Sequence, residues 1–161
     1  TKHQLENLRI TAAGNEKSKP DWKQDLNATH GIVISGAQNI IRNCTIEVTH
    51  TDAGIYLFGP NQVIENNTII FKGHLPQGMS APIRLSLADG SIIRNNTIIV
   101  QSEGANKPAA AISLIDSRNV VIENNTIEGV EALYKSWDEL PEQKTSVQEK
   151  DNRFKKGWKL F

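Results

Sequence analysis

Apolar and polar residues alternate in short bursts along this chain, and the bursts recur. Residues 31–35 (GIVIS), 54–58 (GIYLF), 82–86 (PIRLS) and 111–115 (AISLI) place apolar side chains at every second position. Ile32 and Ile34, Ile55 and Leu57, Ile83 and Leu85, and Ile112 and Leu114 fall on one side, whereas Val33, Tyr56, Arg84 and Ser113 fall on the other. A period of two over so few residues predicts half-buried strands. Each burst is followed by a second phrase: IIRNCTI (40–46), VIENNTI (63–69), IIRNNTI (92–98) and VIENNTI again (121–127), with a degenerate copy, QLENLRI, at 4–10. In these phrases Ile41, Ile64, Ile93 and Ile122 point inward before the Asn, and Ile46, Ile69, Ile98 and Ile127 point inward after it. No stretch inside the repeats carries the helical period.

Aligned on their first Asn, the copies fall at Asn7, Asn43, Asn66, Asn95 and Asn124, spaced by 36, 23, 29 and 29 residues. Such spacings mark a solenoid. Each repeat predicts a coil of three strands: GIYLF, a tight turn at GPN, QVIE, a corner at Asn, and NTIIF, with a variable loop returning to the start. Stacked coils bring like positions into columns about 4.8 Å apart, as parallel strands require. The corner needs a left-handed residue, which Asn tolerates best after Gly. The next column, Leu8–Cys44–Asn67–Asn96–Asn125, mixes apolar residues with Asn. It is expected to face inward as a ladder of amides, although the two Asn columns could exchange roles. The residue before the corner alternates in sign, Glu6–Arg42–Glu65–Arg94–Glu123, as an external ion-pair ladder would.

The I-x-N-N-x-I corner and the HGI and AGIYL strand openings resemble the right-handed parallel β-helix family. That family includes pectate lyases, polygalacturonases, alginate epimerases, phage tailspikes and periplasmic carbohydrate-binding relatives. The resemblance covers about residues 4–130 and implies an all-β, right-handed parallel β-helix of about five coils, one per motif copy. Handedness follows from the family and from the general right-handed crossover rule. The β-helix is assigned to residues 1–130. The first copy starts close to Thr1 without its preceding strand, which predicts further coils before it. Residues 131–161 change character, with many charges and with Trp137, Phe154, Trp158 and Phe161. They predict an irregular or partly helical C-terminal cap, with a helix starting at SWDEL and Ser136 as its N-cap.

Composition narrows the function. The 161 residues have a formal net charge of zero, which gives no general attraction to nucleic acid or to an anionic membrane. No apolar run approaches the roughly 20 residues of a membrane span. The single cysteine, Cys44, occupies a repeat position and reads as structural. The resemblance favours a secreted, periplasmic or virion-surface setting.

The repeated phrase is occupied with turning and stacking, so function is expected where repetition breaks, on the return loops and the outward face of the first strand. The column Val33–Tyr56–Arg84–Ser113 sets Tyr56 beside Arg84, and the next outward column is Ser35–Phe58–Ser86–Ile115. The flanking loops add His30, His50, Asp52, His74, Glu103 and Lys107. Such groups suit an acidic polysaccharide: Arg forks a uronate carboxylate, and Tyr or His moves a proton at the adjacent carbon. Tyr56, Arg84, His50 and His74 are the catalytic candidates for β-elimination or epimerisation; His30, Asp52, Phe58, Glu103 and Lys107 are the substrate-binding ones. The face lacks the carboxylate cluster that glycoside hydrolysis needs and the convergent acids of a Ca²⁺ site. The His spacings, 20 and 24 residues between His30, His50 and His74, fit no metal motif, and no cofactor is implied. The alternative is a non-catalytic β-helix, the spacer or receptor-binding part of a tailspike, adhesin or periplasmic protein, whose sign would be a homotrimer in solution or glycan binding without product.

Overall fold

A computed structural model describes residues 2–14, 30–73, 79–102 and 107–156. These residues form three parallel sheets that wrap one apolar core. The first sheet stacks β1 (Gln4–Glu6), β4 (Ile40–Arg42), β7 (Val63–Glu65), β10 (Ile92–Arg94), β13 (Val120–Glu123) and β16 (Val147–Lys150). The second stacks β2 (Arg9–Ala13), β5 (Thr45–Thr49), β8 (Thr68–Lys72), β11 (Thr97–Val100), β14 (Thr126–Glu128) and β17 (Arg153–Lys155). The third stacks β3 (His30–Ser35), β6 (Ala53–Phe58), β9 (Ala81–Ser86), β12 (Ile112–Ile115) and β15 (Tyr134–Ser136). Each coil contributes one strand to each sheet, so a strand's partners are its counterparts one coil before and one coil after.

The register is the one that the repeats dictate. Ile41, Ile64, Ile93 and Ile122 pair in sequence, as do Ile46, Ile69, Ile98 and Ile127, and all eight are fully buried. Burying one such side chain contributes about 1.5–3 kcal/mol, so a slip of one residue, which would turn every Ile to solvent, is strongly disfavoured. Glycine opens β3 and β6 after one residue because the coils approach closely there. A Cβ on Gly54 would stand 2.8 Å from the Pro82 carbonyl oxygen, and one on Gly31 would stand 2.5 Å from that of Gly54.

At the corner between the first two sheets, Asn7, Asn43, Asn66, Asn95 and Asn124 all adopt left-handed backbone with φ of 55–57°. The following column faces inward, which settles which Asn turns and which stacks. Asn67 Nδ2 donates to Asn96 Oδ1 at 3.1 Å, and Asn96 Nδ2 donates to Asn125 Oδ1 at 3.0 Å. Each amide also accepts from the backbone N–H one coil before and donates to a carbonyl, as Asn96 does with Asn67 N and Ile64 O. A buried polar column is tolerable because its polar groups find partners. On the outside, Arg42 pairs with Glu6 and lies 3.7 Å from Glu65, and Arg94 bonds Glu65 at 2.8 Å.

A second inward polar column, which the sequence reading did not single out, lines the opposite corner. Asn39 N donates to Gln62 Oε1 and Gln62 N donates to Ser91 Oγ, each at 3.0 Å. Its members differ in type, so the eye does not find them as a repeat.

All three sheets run past Val130, where the sequence pattern fades. Asp151 takes the corner with φ 53°, and Asn152 extends the amide ladder, accepting from Asn125 Nδ2 at 3.0 Å. Phe154 takes the Ile column opposite Ile127. The helix expected from Ser136 does not form. Tyr134–Ser136 is extended and pairs with β12, and the only helical turn among the described residues after it is a short 3-10 turn at Pro141–Gln143. The reason is competition for the same groups. Asp138, an acid suited to a first helical turn, instead accepts from the backbone N–H groups of Asp116 and Thr145 at 3.0 Å. The N–H groups of Glu139 and Leu140 go to Asp116 Oδ1 at 2.9 Å. Pairing with the previous coil therefore outweighs a local helix.

Candidate functional site

The third sheet presents the outward face on which the candidates lie. Val33, Tyr56, Arg84, Ser113 and Lys135 pair in sequence along one column, and Ser35, Phe58, Ser86 and Ile115 along the next. Trp137 follows β15 and donates its backbone N–H to Leu114 O at 2.8 Å, which places it one rung beyond Ile115.

Asp52 is the centre of the cluster. It lies just before β6, between the rungs of His30 and of Ser80. Its Oδ2 accepts from His30 Nε2 at 3.2 Å and from Arg84 Nη1 at 2.7 Å, and its Oδ1 accepts from Ser80 Oγ at 2.7 Å. The residue is only 6% exposed. Burial is the strongest single influence on its carboxyl and opposes ionisation. The hydrogen bonds from His30 and Ser80, followed by the charges of Arg84 and His30, together outweigh it and hold the pKa down at about 2,. At neutral pH Asp52 is a carboxylate.

Arg84 lies with its Cζ 4.3 Å from the centroid of the Tyr56 ring, a cation–π contact,. Tyr56 stacks on Phe58 at 4.1 Å between centroids and meets the tilted His30 ring at 5.7 Å. Its hydroxyl shares a hydrogen bond of 3.1 Å with Ser86 Oγ. Tyr56, Ser86, Ser113 and Ile115 are all buried although they point away from the Ile core. The expected open face is thus a second, smaller packed layer over these rungs. Arg84 Nε is buried there and has no acceptor among the described residues.

The structure therefore joins His30, Asp52, Tyr56, Phe58 and Arg84. It does not bring in His50, whose backbone forms a left-handed corner with φ 53° and whose ring lies where a Cβ on Gly73 would be, 2.7 Å from His50 Cε1. Lys107 is exposed on the loop before β12. His74 and Glu103 lie outside the described residues. Ser80 was missed because its place above Asp52 depends on loop length. Lys135 and Trp137 were missed on this face because SWDEL was read as a helix start, whereas Tyr134–Ser136 pairs with Ile112–Leu114 and sets Lys135 beside Ser113. Among the described residues no group of three or more His, Cys, Asp or Glu is placed to hold a metal ion, and no helix is long and apolar enough to cross a membrane.

A family model, described as the right handed beta helix region, matches residues 3–139. No curated protein and no solved structure matches the chain.

Proposed function

This chain belongs to the right-handed β-helix family, and from that premise we propose that it is a polysaccharide-binding solenoid that holds its ligand without turning it over. The observation that carries this reading is the engagement of the two leading catalytic candidates with other protein groups. Arg84 is bonded to ionised Asp52, and the Tyr56 hydroxyl is buried against Ser86. A carboxylate held at about 2 is too weak a base to take a proton from a sugar carbon at neutral pH. The partly exposed Phe58, backed by Tyr56, offers an aromatic surface for the apolar face of a sugar ring, which supports binding.

The test pairs two measurements over a panel of acidic and neutral polysaccharides. Ultraviolet absorbance from unsaturated uronates stays flat, while affinity electrophoresis shows retardation that Phe58→Ala weakens. Unsaturated product that disappears in both Tyr56→Phe and Arg84→Ala would overturn this reading in favour of a lyase. One observation favours that second reading: the His30–Asp52 bond orients an imidazole, as a general base requires.

A further inference from the structure

The outward face of the first sheet carries two columns that the candidate site does not use. One is Gln4–Ile40–Val63–Ile92–Val121–Gln148, and the other is Glu6–Arg42–Glu65–Arg94–Glu123–Lys150. The four aliphatic side chains are half-buried, and the Gln at either end is exposed. The sheet has six strands, and an even number of rungs decides how the columns read in reverse. Backwards, the first is still Gln, four aliphatics and Gln. The second reads backwards with every sign exchanged. A two-fold axis lying in this face, along the strands, turns a second copy end for end. It keeps aliphatic column over aliphatic column and charged over charged, and it sets the first rung against the sixth. Glu6 then meets Lys150 of the partner subunit, Arg42 meets Glu123 of the partner subunit, and Glu65 meets Arg94 of the partner subunit. Beside them Ile40 lies over Val121 of the partner subunit and Val63 over Ile92 of the partner subunit.

Two further observations single out this face. Ion pairs within the chain join Glu6, Arg42, Glu65 and Arg94, and leave Glu123 and Lys150 without one among the described residues. The reversed copy supplies a counter-charge to both. The second sheet, by contrast, fails the same test. Its outward columns are Arg9–Thr45–Thr68–Thr97–Thr126–Arg153 and Thr11–Glu47–Ile70–Ile99–Glu128–Lys155. Reversal there sets Arg9 against Arg153 and Glu47 against Glu128, and like charges brought together oppose association. We infer that the outer face of the first sheet is a self-association surface whose occupant is a second copy of this chain, docked antiparallel as a two-fold dimer. Six strands about 4.8 Å apart, with columns about 7 Å apart, make a narrow face. It buries on the order of 800 Å² in total, less than the roughly 1,200 Å² of a stable complex, so the dimer is weak, with a Kd on the order of 0.1 mM at low salt. The third sheet takes no part, so the inference is independent of the polysaccharide-binding reading.

Sedimentation equilibrium of the full chain over about 0.01–1 mM should show monomer and dimer in exchange, and salt should weaken the dimer. Val63→Lys should raise Kd more than about tenfold, because its ammonium would be buried over Ile92 of the partner subunit. Ile92→Glu should do the same. Mixed together, the two variants should recover the dimer, because antiparallel docking sets the new ammonium of one against the new carboxylate of the other. A parallel pair, with each rung over its own counterpart, gives no such recovery. Thr97→Lys, a similar change on the second sheet, should leave Kd unaltered, and urea midpoints report that every variant is folded. A chain that stays monomeric throughout the range, a dimer that Val63→Lys leaves intact, or a mixture of the two variants that remains monomeric overturns the inference.

Discussion

The Asn corner and the outward face of the third sheet use the same backbone spacing for opposite ends. At the corner the coils from Asn67 onward contribute the same residue to the same inward place, and each hydrogen bond between them is a copy of the last: Asn67 to Asn96, Asn96 to Asn125, Asn125 to Asn152. On the outward face every coil contributes something different, and the bonds converge: His30, Ser80 and Arg84 come from neighbouring coils to a single carboxylate, Asp52. Repetition satisfies every member and leaves nothing over, which makes a frame. Convergence builds an electrostatic centre and leaves over, among the described residues, the Arg84 Nε without an acceptor and Lys135 without a carboxylate. A solenoid thus separates stability from recognition by varying only one face.

Three changes sharpen this contrast. The largest effect belongs to the frame. Asn96→Ala removes the acceptor for Asn67 N and Nδ2 and the donor to Ile64 O, all buried. Unsatisfied buried groups cost about 1–3 kcal/mol each, so a total near 3–5 kcal/mol is expected, read as a fall in the urea midpoint. A loss below 1 kcal/mol would mean that the ladder does not carry the corner.

A smaller loss, about 2–4 kcal/mol, is expected for Asp52→Asn, which leaves the half-buried Arg84 without its counter-charge. The same residue predicts a pH dependence. Its folded pKa of about 2 lies below the ordinary 3.8, so the unfolded chain binds the proton more readily. The stabilisation is therefore complete above about pH 4 and is lost as pH falls through about 2, a span worth roughly 2 kcal/mol. Denaturant titrations at stepped pH should show this acid loss in the unaltered chain and lack it in Asp52→Asn. Equal slopes in the two would remove Asp52 from the centre of the cluster.

The smallest effect is expected outside the corner. Glu65→Gln breaks the contacts to Arg94 at 2.8 Å and Arg42 at 3.7 Å, yet surface ion pairs contribute only about 0–1 kcal/mol. A shift in thermal midpoint of a degree or two, vanishing in high salt, fits a ladder that sets register rather than stability. A larger, salt-insensitive loss would show that the charged column belongs to the frame.

What could be read from the chain follows from how each feature is encoded. The Ile columns, the left-handed Asn corners and the alternating charges are each written several times over, and repetition at a strand's period of two fixes both direction and register. The same reading faltered at residues 131–156, where Asp151–Asn152 replaces the Asn–Asn pair and Phe154 replaces Ile. The geometry there is unchanged, but the letters no longer match. SWDEL carries real local signals for a helix, and the open edge of β12 together with Asp116 overrode them.

The sequence alone determined the solenoid, its three faces and the Ile columns that stack, because those properties depend on neighbours within a coil and on like residues in the next. Only the tertiary structure decided that Arg84 is neutralised by Asp52, that His50 stays apart from the cluster, and that Lys135 and Trp137 share its face. The bonds that converge on Asp52 join unlike residues 22–32 positions apart through return loops of unequal length, and no pattern in the letters states where such a loop sets its ends down.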